Sequence, residues 1–506
     1  MSLCWENLLT SHVSLFNADT AARASFSRAA PASTGESSEM SGRGRARAAQ
    51  STDARRAKSP ACPAATRAKD REDPSPRTAH KGKGSASEPE RGPRRKREEV
   101  DGGGGGASAR AGPRPKPEPN RASPGGKPAR EETDPSRILL ETLEKLKIKK
   151  QHRAEAAATI NEVVDMIEKF MEEETECFRQ MVTLRTGSAY ENVKINEPDE
   201  FDVMFAVPVY RTRVQQFGDG SAFCSAHVDR ERRTRPYSQF VQEDGTISAC
   251  DMLNHFRELV KVAVKDLEYV EVKRKKKGCP AVTLQIMKSD MEFPISLDIV
   301  LGLEVHSSSW PSFTKDGCKI EKWLGSKVKR DFKFKPFYLV PKYEGKGNEA
   351  KEGVLAKDAW RISFSHVEKD ILKNHGKVKT CCEKQGVQCC RKACLKLLKH
   401  LLHTLKERHQ KELSEFSSYL AKTVLLHACS SRVDDNYWAT ANLSHCFQML
   451  LEDFEKYLKS GSLPNFFIPS HNLLASGYSR RSCEHLADFI AEQRNNGFPI
   501  FSGSSQ

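Results

Sequence analysis

A long stretch of this chain lacks the residues from which a hydrophobic core could be built. From Ser41 to Arg137 there is no Phe, Trp or Tyr, and Val100 is the only residue among Val, Leu, Ile and Met. Such a segment cannot bury enough apolar surface to offset the conformational entropy lost on folding. We therefore expect a disordered arm over residues 40–137 and a folded domain over residues 138–506.

The arm is also strongly basic. It holds 24 Lys and Arg against 13 Asp and Glu, which accounts for +11 of the chain's formal +15. Residues 1–40 carry −2, which leaves +6 for residues 138–506. A basic arm beside a basic domain indicates a polyanionic partner. The alternative for the arm alone is a role in solubility or nuclear import.

The first 39 residues differ from the arm, since they include Trp5, Leu8 and Phe16. They lack the charged and continuous apolar regions of a signal peptide, and no apolar run is long enough to span a bilayer. We expect a soluble chain whose usual start is Met40, with residues 1–39 as a disordered extension. Fifteen cysteines without a secretory signal indicate free thiols or metal ligands in a reducing compartment.

Helical patterns bracket the folded region. Asp134 followed by Pro135 is typical of a helix start, and apolar residues at helical spacing predict a long spine helix over about 138–182. Helical periodicity returns over residues 394–408, 413–429, 443–458 and 482–493. Between them, segments rich in β-branched and aromatic residues predict strands at 201–209, 281–287 and 295–305. This order predicts an α+β lobe with a mixed sheet joined to a helical C-terminal lobe.

Three acidic residues lie in the predicted strands. Strand alternation places Glu200 and Asp202 on one face, and Asp298 lies inside an apolar strand where a lone charge would be costly. Such carboxylates can hold two Mg (or Mn) ions, which activate an attacking hydroxyl and stabilise a leaving pyrophosphate. We predict that Glu200, Asp202 and Asp298 are the catalytic metal ligands. A solvated strand face is the alternative for the first two alone.

A glycine–serine turn supports the prediction that the three acids are metal ligands. Gly187 and Ser188 follow the spine helix, offering close backbone approach and a hydroxyl for triphosphate oxygens. Gly-Ser, then Glu-x-Asp on a strand, then a distant strand Asp is typical of nucleotidyltransferases with a polymerase-β-like fold. The three features together are more specific than any one of them.

A short loop concentrates metal-binding residue types. His375, Cys381, Cys382 and Cys389 have the spacing H-x5-C-C-x6-C, which can form a closed tetrahedral site for one structural zinc ion. Cys390 and Cys394 are close in sequence, so spacing alone does not decide the third sulfur. Buried, redox-inert thiols are the competing explanation. We expect a zinc thumb over about residues 374–394.

These residues resemble the Mab-21-like nucleotidyltransferases over about residues 138–506. The resemblance is carried by segments 184–188 (LRTGS), 200–205 (EFDVMF), 335–342 (KPFYLVPK), 360–366 (WRISFSH), 374–376 (NHG) and 494–499 (RNNGFP), and by the cysteine thumb. It implies an enzyme activated by double-stranded DNA, irrespective of sequence, that joins ATP and GTP into 2′,3′-cyclic GMP-AMP by two phosphoryl transfers. It also implies a sensor of innate immunity in the cytosol and nucleus.

The resemblance assigns roles to individual residues. It makes His375, Cys381, Cys382 and Cys389 the zinc ligands, and it implies a homodimer on DNA, with nucleosomes as a further partner. Tyr419 matches an aromatic residue that stacks on a base. The implied nucleotide-binding residues are Thr186, Gly187, Ser188, Lys342, Arg361, Ser363, Lys399, Ser418 and Tyr419. The implied DNA-facing residues are Lys147, Lys150, Lys369, Lys379, Lys392 and Lys396.

The chain departs from the family pattern in places. Asp199 stands where Asn is usual and puts another carboxylate beside the metals, and residues 214–236 match poorly. Two other functions compete. One is a catalytically weak nucleotidyltransferase-like protein that binds DNA or chromatin, against which the intact acids argue. The other is an RNA-activated oligoadenylate synthase, against which the cysteine thumb argues.

Overall fold

The first helix begins where the sequence predicts. In a computed structural model of the chain, the described residues are 134–228, 235–275, 279–342, 347–351, 353–377, 381–382 and 388–502. The Asp134 carboxylate accepts a hydrogen bond from the Ser136 amide (2.9 Å), and Pro135 opens helix α1, Pro135–Lys145. Proline suits this position because its missing N–H would have no helical partner. The expected N-terminal extension, and the expected arm as far as residue 133, lie outside the described residues.

The prediction of one spine helix to about residue 182 is wrong in two respects. The chain breaks after α1, and α2 runs over Lys150–Glu174 only. No glycine or proline marks the break; α1 packs on the helical half of the molecule, whereas α2 packs on a helix beside the sheet. The second difference is that α2 ends at Glu174, before residue 182. Its last three residues are glutamates, and negative charge at the C-terminus of a helix is unfavourable because it opposes the helix dipole. The chain then turns and buries Phe178 against Phe256, with ring centroids 5.4 Å apart.

A nine-stranded mixed sheet forms the first half of the molecule. The strands β2 and β7 lie side by side and parallel, and the other described pairings are antiparallel. The order is β1-β2-β7-β8-β11-β4-β3, with β6 also on β7 and β5 on β6. The strands are β1 Val182–Thr186, β2 Glu200–Tyr210, β3 Thr212–Gln216, β4 Phe223–Val228, β5 Val270–Val272, β6 Ala281–Ile286, β7 Ile295–His306, β8 Phe337–Val340 and β11 Trp360–Ser363.

The alternation of side chains along β2 follows the prediction. Phe201, Val203 and Phe205 enter the main hydrophobic core, whereas Met204 and Ala206 belong to a small separate cluster on the other face. Asp202 shares that second face because strand residues two apart point the same way. The predicted strands at 201–209, 281–287 and 295–305 are therefore confirmed within one or two residues at each end.

The second half is helical, as predicted, and it begins where the sheet ends. Its helices are α6 Ser365–Lys373, α7 Arg391–Arg408, α8 Gln410–Leu413, α9 Ser418–Ser431, α10 Leu443–Ser460 and α11 Arg480–Asn495. The predicted helix 413–429 is wrong as a single element, because α8 ends at Leu413 and α9 starts afresh. Ser417 caps α9, since its hydroxyl accepts a hydrogen bond from the Tyr419 amide (3.2 Å).

The remaining elements complete the sheet half. Helix α4, Ala249–Ala263, packs beside α2, and α5, Ser326–Lys333, precedes β8. A separate two-stranded hairpin pairs β9 Ala350–Lys351 with β10 Val354–Leu355. The poorly matching segment 214–236 supplies part of β3 and all of β4, which extend the sheet at one edge. Among the described residues, no helix has the length and apolar character that a membrane span requires.

Candidate active site

The strand register brings the acidic residues together. Asp202 on β2 lies directly opposite Asp298 on the parallel strand β7, while Thr186 on β1 and Thr283 on β6 continue the same row. One carboxylate oxygen from each of Glu200, Asp202 and Asp298 can be chosen so that all lie within 4.8 Å of one another. Oxygen donors at this spacing suit hard divalent cations such as Mg²⁺.

Asp298 is the most deeply placed of these acids, with 1% of its surface exposed. The Thr283 hydroxyl donates a hydrogen bond to its Oδ1 (2.6 Å). A donor on one oxygen orients the carboxylate and fixes which face it turns to a metal. Thr283 was absent from the predicted site because its role depends on the pairing of β6 with β7, which sequence patterns do not reveal.

The turn at Gly187 allows the backbone to reach Asp202. Gly187 has φ +82°, a conformation that favours glycine, and a Cβ placed there would overlap the Asp202 Oδ2 atom. The following residues form a single helical turn, Gly187–Tyr190, called α3. Glycine is therefore required twice, for its positive φ and for its missing side chain.

Glu200 is held by a lysine that sequence reasoning overlooked. The Lys194 Nζ lies 3.0 Å from a carboxylate oxygen of Glu200 and 3.0 Å from one of Asp199. Burial by itself would lower the pKa of Lys194, but the charges of Glu200 and Asp199 outweigh it and raise that pKa. Lys194 therefore stays charged and compensates the carboxylates of Glu200 and Asp199.

A cleft that is open to solvent lies over these residues. It collects most of the predicted phosphate contacts from both halves of the molecule. Its lining includes Thr186, Gly187, Ser188, Glu200, Asp202, Lys399 and Ser418. The side chains of the sheet half thus face those of α7 and α9 across a single opening, where a triphosphate could contact both.

A buried ionic network forms one wall of the cleft. The Lys422 Nζ lies 2.8 Å from Glu191 and 3.2 Å from Glu368, and all three are buried. Burial would raise the pKa of Glu368, but the Lys422 ammonium outweighs it and lowers that pKa. The predicted site missed this network. Lys422 stands alone in the apolar helix α9, which is the signal that could have indicated a buried partner.

The predicted base-binding residues do not all reach the cleft. Tyr419 is 3% exposed, and its hydroxyl donates a hydrogen bond to Glu368 (3.0 Å). Arg361 and Lys342 line a second cavity, beside Tyr478. Ser363 is buried on β11. The predicted nucleotide contacts that reach a cleft or cavity are therefore divided between two spaces.

The thumb residues gather into one cluster. His375, Cys381, Cys382 and Cys389 each offer a ligand atom within 4.8 Å of the others. The Cys382 Sγ lies 3.5 Å from the His375 Nε2 and 3.6 Å from the Cys389 Sγ. Cys390 and Cys394 are instead part of the hydrophobic core. The geometry therefore separates Cys389 from its neighbour, a choice that sequence spacing left open.

Hydrogen bonds around the cluster favour metal binding. The His375 Nδ1 lies 2.9 Å from the Leu372 carbonyl, which leaves Nε2 facing the sulfurs. The contact with His375 lowers the pKa of Cys382 to about 6. A thiolate is the form that binds a metal, and this shift favours it.

Basic residues from α2 and α7 converge on one face. Burial, and then the like charges of Arg153, Lys392, Lys399 and Lys147, lower the pKa of Lys396. Lys150 is the first residue of α2, and Arg153 lies in the first turn of the same helix. Lys369 donates a hydrogen bond to the Arg185 carbonyl (2.6 Å), just before the Gly187 turn. Lys379 lies outside the described residues.

The segment between Arg185 and Val193 is held by these basic side chains. Besides Lys369, Arg153 donates to the Asn192 Oδ1 (3.3 Å), and Lys399 donates to the Val193 carbonyl (3.4 Å). Arg153 was not among the predicted DNA contacts, because in the sequence it is only one of three polar residues, 151–153, that interrupt the apolar helical pattern. Its contact with Asn192 joins the basic face to the segment that follows α3.

Replacing Gly187 by alanine tests the requirement for glycine. In Gly187→Ala the new methyl group must displace the Asp202 carboxylate, so we expect nucleotidyl transfer to fall by about 100-fold, or roughly 2.7 kcal/mol in barrier height. The measurement is the initial rate at saturating nucleotide and metal. Gly353→Ala is a matched control, since Gly353 has the same φ of +82° with no atom within 4 Å of its Cβ position. Equal losses in both variants would contradict the role of the Asp202 contact.

Comparison with known proteins agrees with this geometry. The Mab-21 protein nucleotidyltransferase domain matches residues 189–374, and the Mab-21 protein HhH/H2TH-like domain matches residues 390–492. The four thumb residues, from His375 to Cys389, lie between the two matched segments. The three acids of the cluster, Glu200, Asp202 and Asp298, all fall within the first match.

Individual relatives cover most of the chain. It is 43% identical over 378 residues to the cyclic GMP-AMP synthase of Sus scrofa, covering 74% of each, and 43% identical over 366 residues to that of Mus musculus, covering 72% of this chain and 70% of the relative. A cyclic GMP-AMP synthase-like receptor of Ctenocephalides felis is 25% identical over 348 residues, or 62% of this chain and 72% of the relative. The chain therefore belongs to the cyclic GMP-AMP synthase family of Mab-21 nucleotidyltransferases.

Proposed function

We propose that this chain joins ATP and GTP into 2′,3′-cyclic GMP-AMP when it binds double-stranded DNA. The observation that carries the proposal is the meeting of Asp202 and Asp298 on adjacent parallel strands, with Glu200 beside them and Gly187 against Asp202. Membership of the synthase family gives the nucleotide substrates and the cyclic product.

The donor set of the acidic site fits two Mg²⁺ or Mn²⁺ ions. Such ions, when bound, lower the pKa of the attacking hydroxyl and stabilise the leaving pyrophosphate. The protein's own part is to orient three carboxylates: Thr283 fixes Asp298, Lys194 fixes Glu200, and the Gly187 turn abuts Asp202. Ser188 and Lys399, on opposite sides of the cleft, bind the triphosphate.

The two spaces provide a separate place for each of two nucleotides. The cleft over the acids takes the nucleotide whose phosphate is attacked, with Thr186 and Ser418 among its contacts. The cavity that Arg361 and Lys342 line takes the other. An arginine fork and a serine hydroxyl such as Ser363 are suited to the acceptor edge of guanine. Tyr419, in the first turn of α9, is buried with its hydroxyl on Glu368, so stacking on a base requires its side chain to become accessible.

DNA binding reaches the active site through the basic face. Lys147, Lys150, Lys392, Lys396 and Lys369 contact phosphates, so recognition is independent of sequence. Phosphates that compete for Arg153 and Lys369 release Asn192 and the Arg185 carbonyl, which frees the segment carrying Gly187 and Ser188. The result is a population shift driven by different DNA affinities of the two segment conformations.

A structural zinc ion in the thumb supports this face. The His375, Cys381, Cys382 and Cys389 donors match the three thiolates and one imidazole of closed zinc sites. The cluster immediately precedes α7, so it orients Lys392 and Lys396. We further propose a homodimer on DNA, nucleosome binding, and activity in the cytosol and nucleus.

One assay tests the function. The full chain is incubated with ATP, GTP and Mg²⁺, with long duplex DNA, duplex RNA or neither, and products are identified by mass spectrometry. We expect the cyclic dinucleotide only with DNA. Linear oligoadenylates with RNA would favour the oligoadenylate alternative, and DNA binding without any product would favour the catalytically weak binding protein.

Substitution at Asp298 separates catalysis from binding. We expect Asp298→Ala to abolish product formation, because an essential metal ligand is lost, while DNA affinity stays within about twofold, since acid and basic face are distinct. Asp298→Asn, which keeps the side-chain shape, serves as the second variant. Comparable loss of DNA binding in both would mean that Asp298 is structural.

Substitution at Lys392 tests backbone recognition. Lys392→Ala should weaken binding to all DNA sequences equally and reduce the slope of log affinity against log salt by about one. Lys411→Ala is the control, because it lies past the far end of α7, roughly 24 Å along the helix. A loss confined to some sequences would contradict the proposal.

Metal removal tests the thumb. We expect elemental analysis to find about one zinc ion per chain, and a chelator to release it, lower the unfolding temperature and weaken DNA binding, because a structural site contributes folding energy. Cys382→Ser should behave like the chelated protein. Cys250→Ser, outside the cluster, should keep its zinc. Full zinc content in Cys382→Ser would contradict the ligand set.

A further inference from the structure

Asp199 adds a carboxylate next to the proposed metal ligands, and in the structure this carboxylate forms an ion pair with Lys194. The Asp199 Oδ1 lies 3.0 Å from the Lys194 Nζ, which also lies 3.0 Å from the Glu200 Oε2. The Lys194 and Glu200 side chains are 10% and 13% exposed, whereas that of Asp199 is 44% exposed. A single buried ammonium therefore joins an acid at the edge of the cleft to one of the metal ligands.

We propose that Lys194 is a positioning residue that holds Glu200 for metal binding, and that Asp199 is the counter-ion of Lys194 and not a further metal ligand. The inference rests on the proposed function, since it assigns roles at the same site. It explains how this chain carries an additional acid without changing the ligand set.

Backbone pairing fixes the chain at Asp199, and its carboxylate lies outside the acidic cluster. The Asp199 carbonyl accepts a hydrogen bond from the Ser296 amide on β7 (2.7 Å), which fixes the chain one residue before Glu200. The group of acids whose oxygens lie within 4.8 Å of one another contains Glu200, Asp202 and Asp298 and does not contain Asp199. Asp199 therefore neighbours the cluster through Lys194.

The position of Lys194 depends on the segment between Arg185 and Val193, which directly precedes it. The Val193 amide donates to the Ser188 carbonyl (3.0 Å), and Lys399 donates to the Val193 carbonyl. The residue before Lys194 is thus tied to the turn that carries Ser188 and to α7. A movement of this turn carries Lys194 with it, which links the segment that DNA controls to the orientation of Glu200.

The charges explain why a lysine is needed. Without the ammonium, Asp199 and Glu200 are adjacent like charges, and their repulsion turns Glu200 away from Asp202 and Asp298. With it, one Glu200 oxygen is bound and the carboxylate has a defined orientation. Asp199 contributes indirectly, because it binds the same ammonium from the solvent side.

The test measures Mn²⁺ binding directly. Full-length protein with long duplex DNA and a non-hydrolysable ATP analogue is titrated with Mn²⁺, and free Mn²⁺ is followed by electron paramagnetic resonance. We expect Lys194→Met to raise the Kd for Mn²⁺ by about fivefold or more, corresponding to about 1 kcal/mol. Lys194→Arg should restore binding to within about twofold, because it keeps the charge. Asp199→Asn should also stay within about twofold, since Lys194 still holds Glu200.

The double variant gives the sharpest contrast. In Lys194→Met with Asp199→Asn the repulsion on Glu200 is removed, so we expect Mn²⁺ to bind more tightly than in Lys194→Met alone. Tighter binding in Lys194→Met than in the unmodified chain would overturn the positioning role. A loss in Asp199→Asn as large as that in Lys194→Met would make Asp199 a direct contributor to metal binding.

Two controls complete the experiment. Thermal unfolding shows whether Lys194→Met folds, and Lys194→Gln, which keeps a hydrogen-bond donor without the charge, replaces it if it does not. Mn²⁺ binding is measured without turnover. If the unmodified chain binds Mn²⁺ as expected but makes no cyclic dinucleotide, the proposed function fails while the role of Lys194 is still tested by its own variants.

Discussion

The parallel pairing of β2 with β7 is the constraint on which the site depends. It places Asp202 opposite Asp298 inside a sheet whose surrounding residues are apolar, so two like charges lie side by side away from bulk water. Such an arrangement is unfavourable unless cations or hydrogen-bond donors compensate it. The Gly187 turn lies against Asp202, the Thr283 hydroxyl binds Asp298, and the Lys194 ammonium holds Glu200 beside the pair.

Charge compensation recurs across the cleft and joins the two halves of the molecule. Lys422 on α9 binds Glu191 after α3 and Glu368 on α6, while Lys399 on α7 binds the Val193 carbonyl. Moving the segment between Arg185 and Val193 would break these contacts and leave a buried charge without its partner. The contacts therefore hold the segment in one position. The same segment is also held by Arg153 and Lys369.

The thumb is anchored to the helical half by contacts outside its His and Cys cluster. Asp435 accepts hydrogen bonds from Arg391 (2.7 Å) and from the Lys377 amide (2.8 Å), and the Trp438 carbonyl accepts one from the Cys390 amide. Arg391 is 1% exposed, so its pairing with Asp435 is a structural requirement. The residue that follows it, Lys392, is thereby presented on the basic face in a defined orientation.

The sequence alone determined the acidic trio, the strands that carry it, the Gly-Ser turn, the His and Cys residues of the thumb and the helical second half. Each of these is a local pattern of alternation, periodicity or spacing. Spacing alone left Cys389 and Cys390 as alternatives, and the family resemblance favoured Cys389. Only the tertiary structure decided that the spine helix breaks after Lys145 and that Lys194, Lys422 and Thr283 lie beside the acids or line the cleft. These depend on contacts between residues distant in the chain, and local patterns do not encode which distant partner a side chain meets.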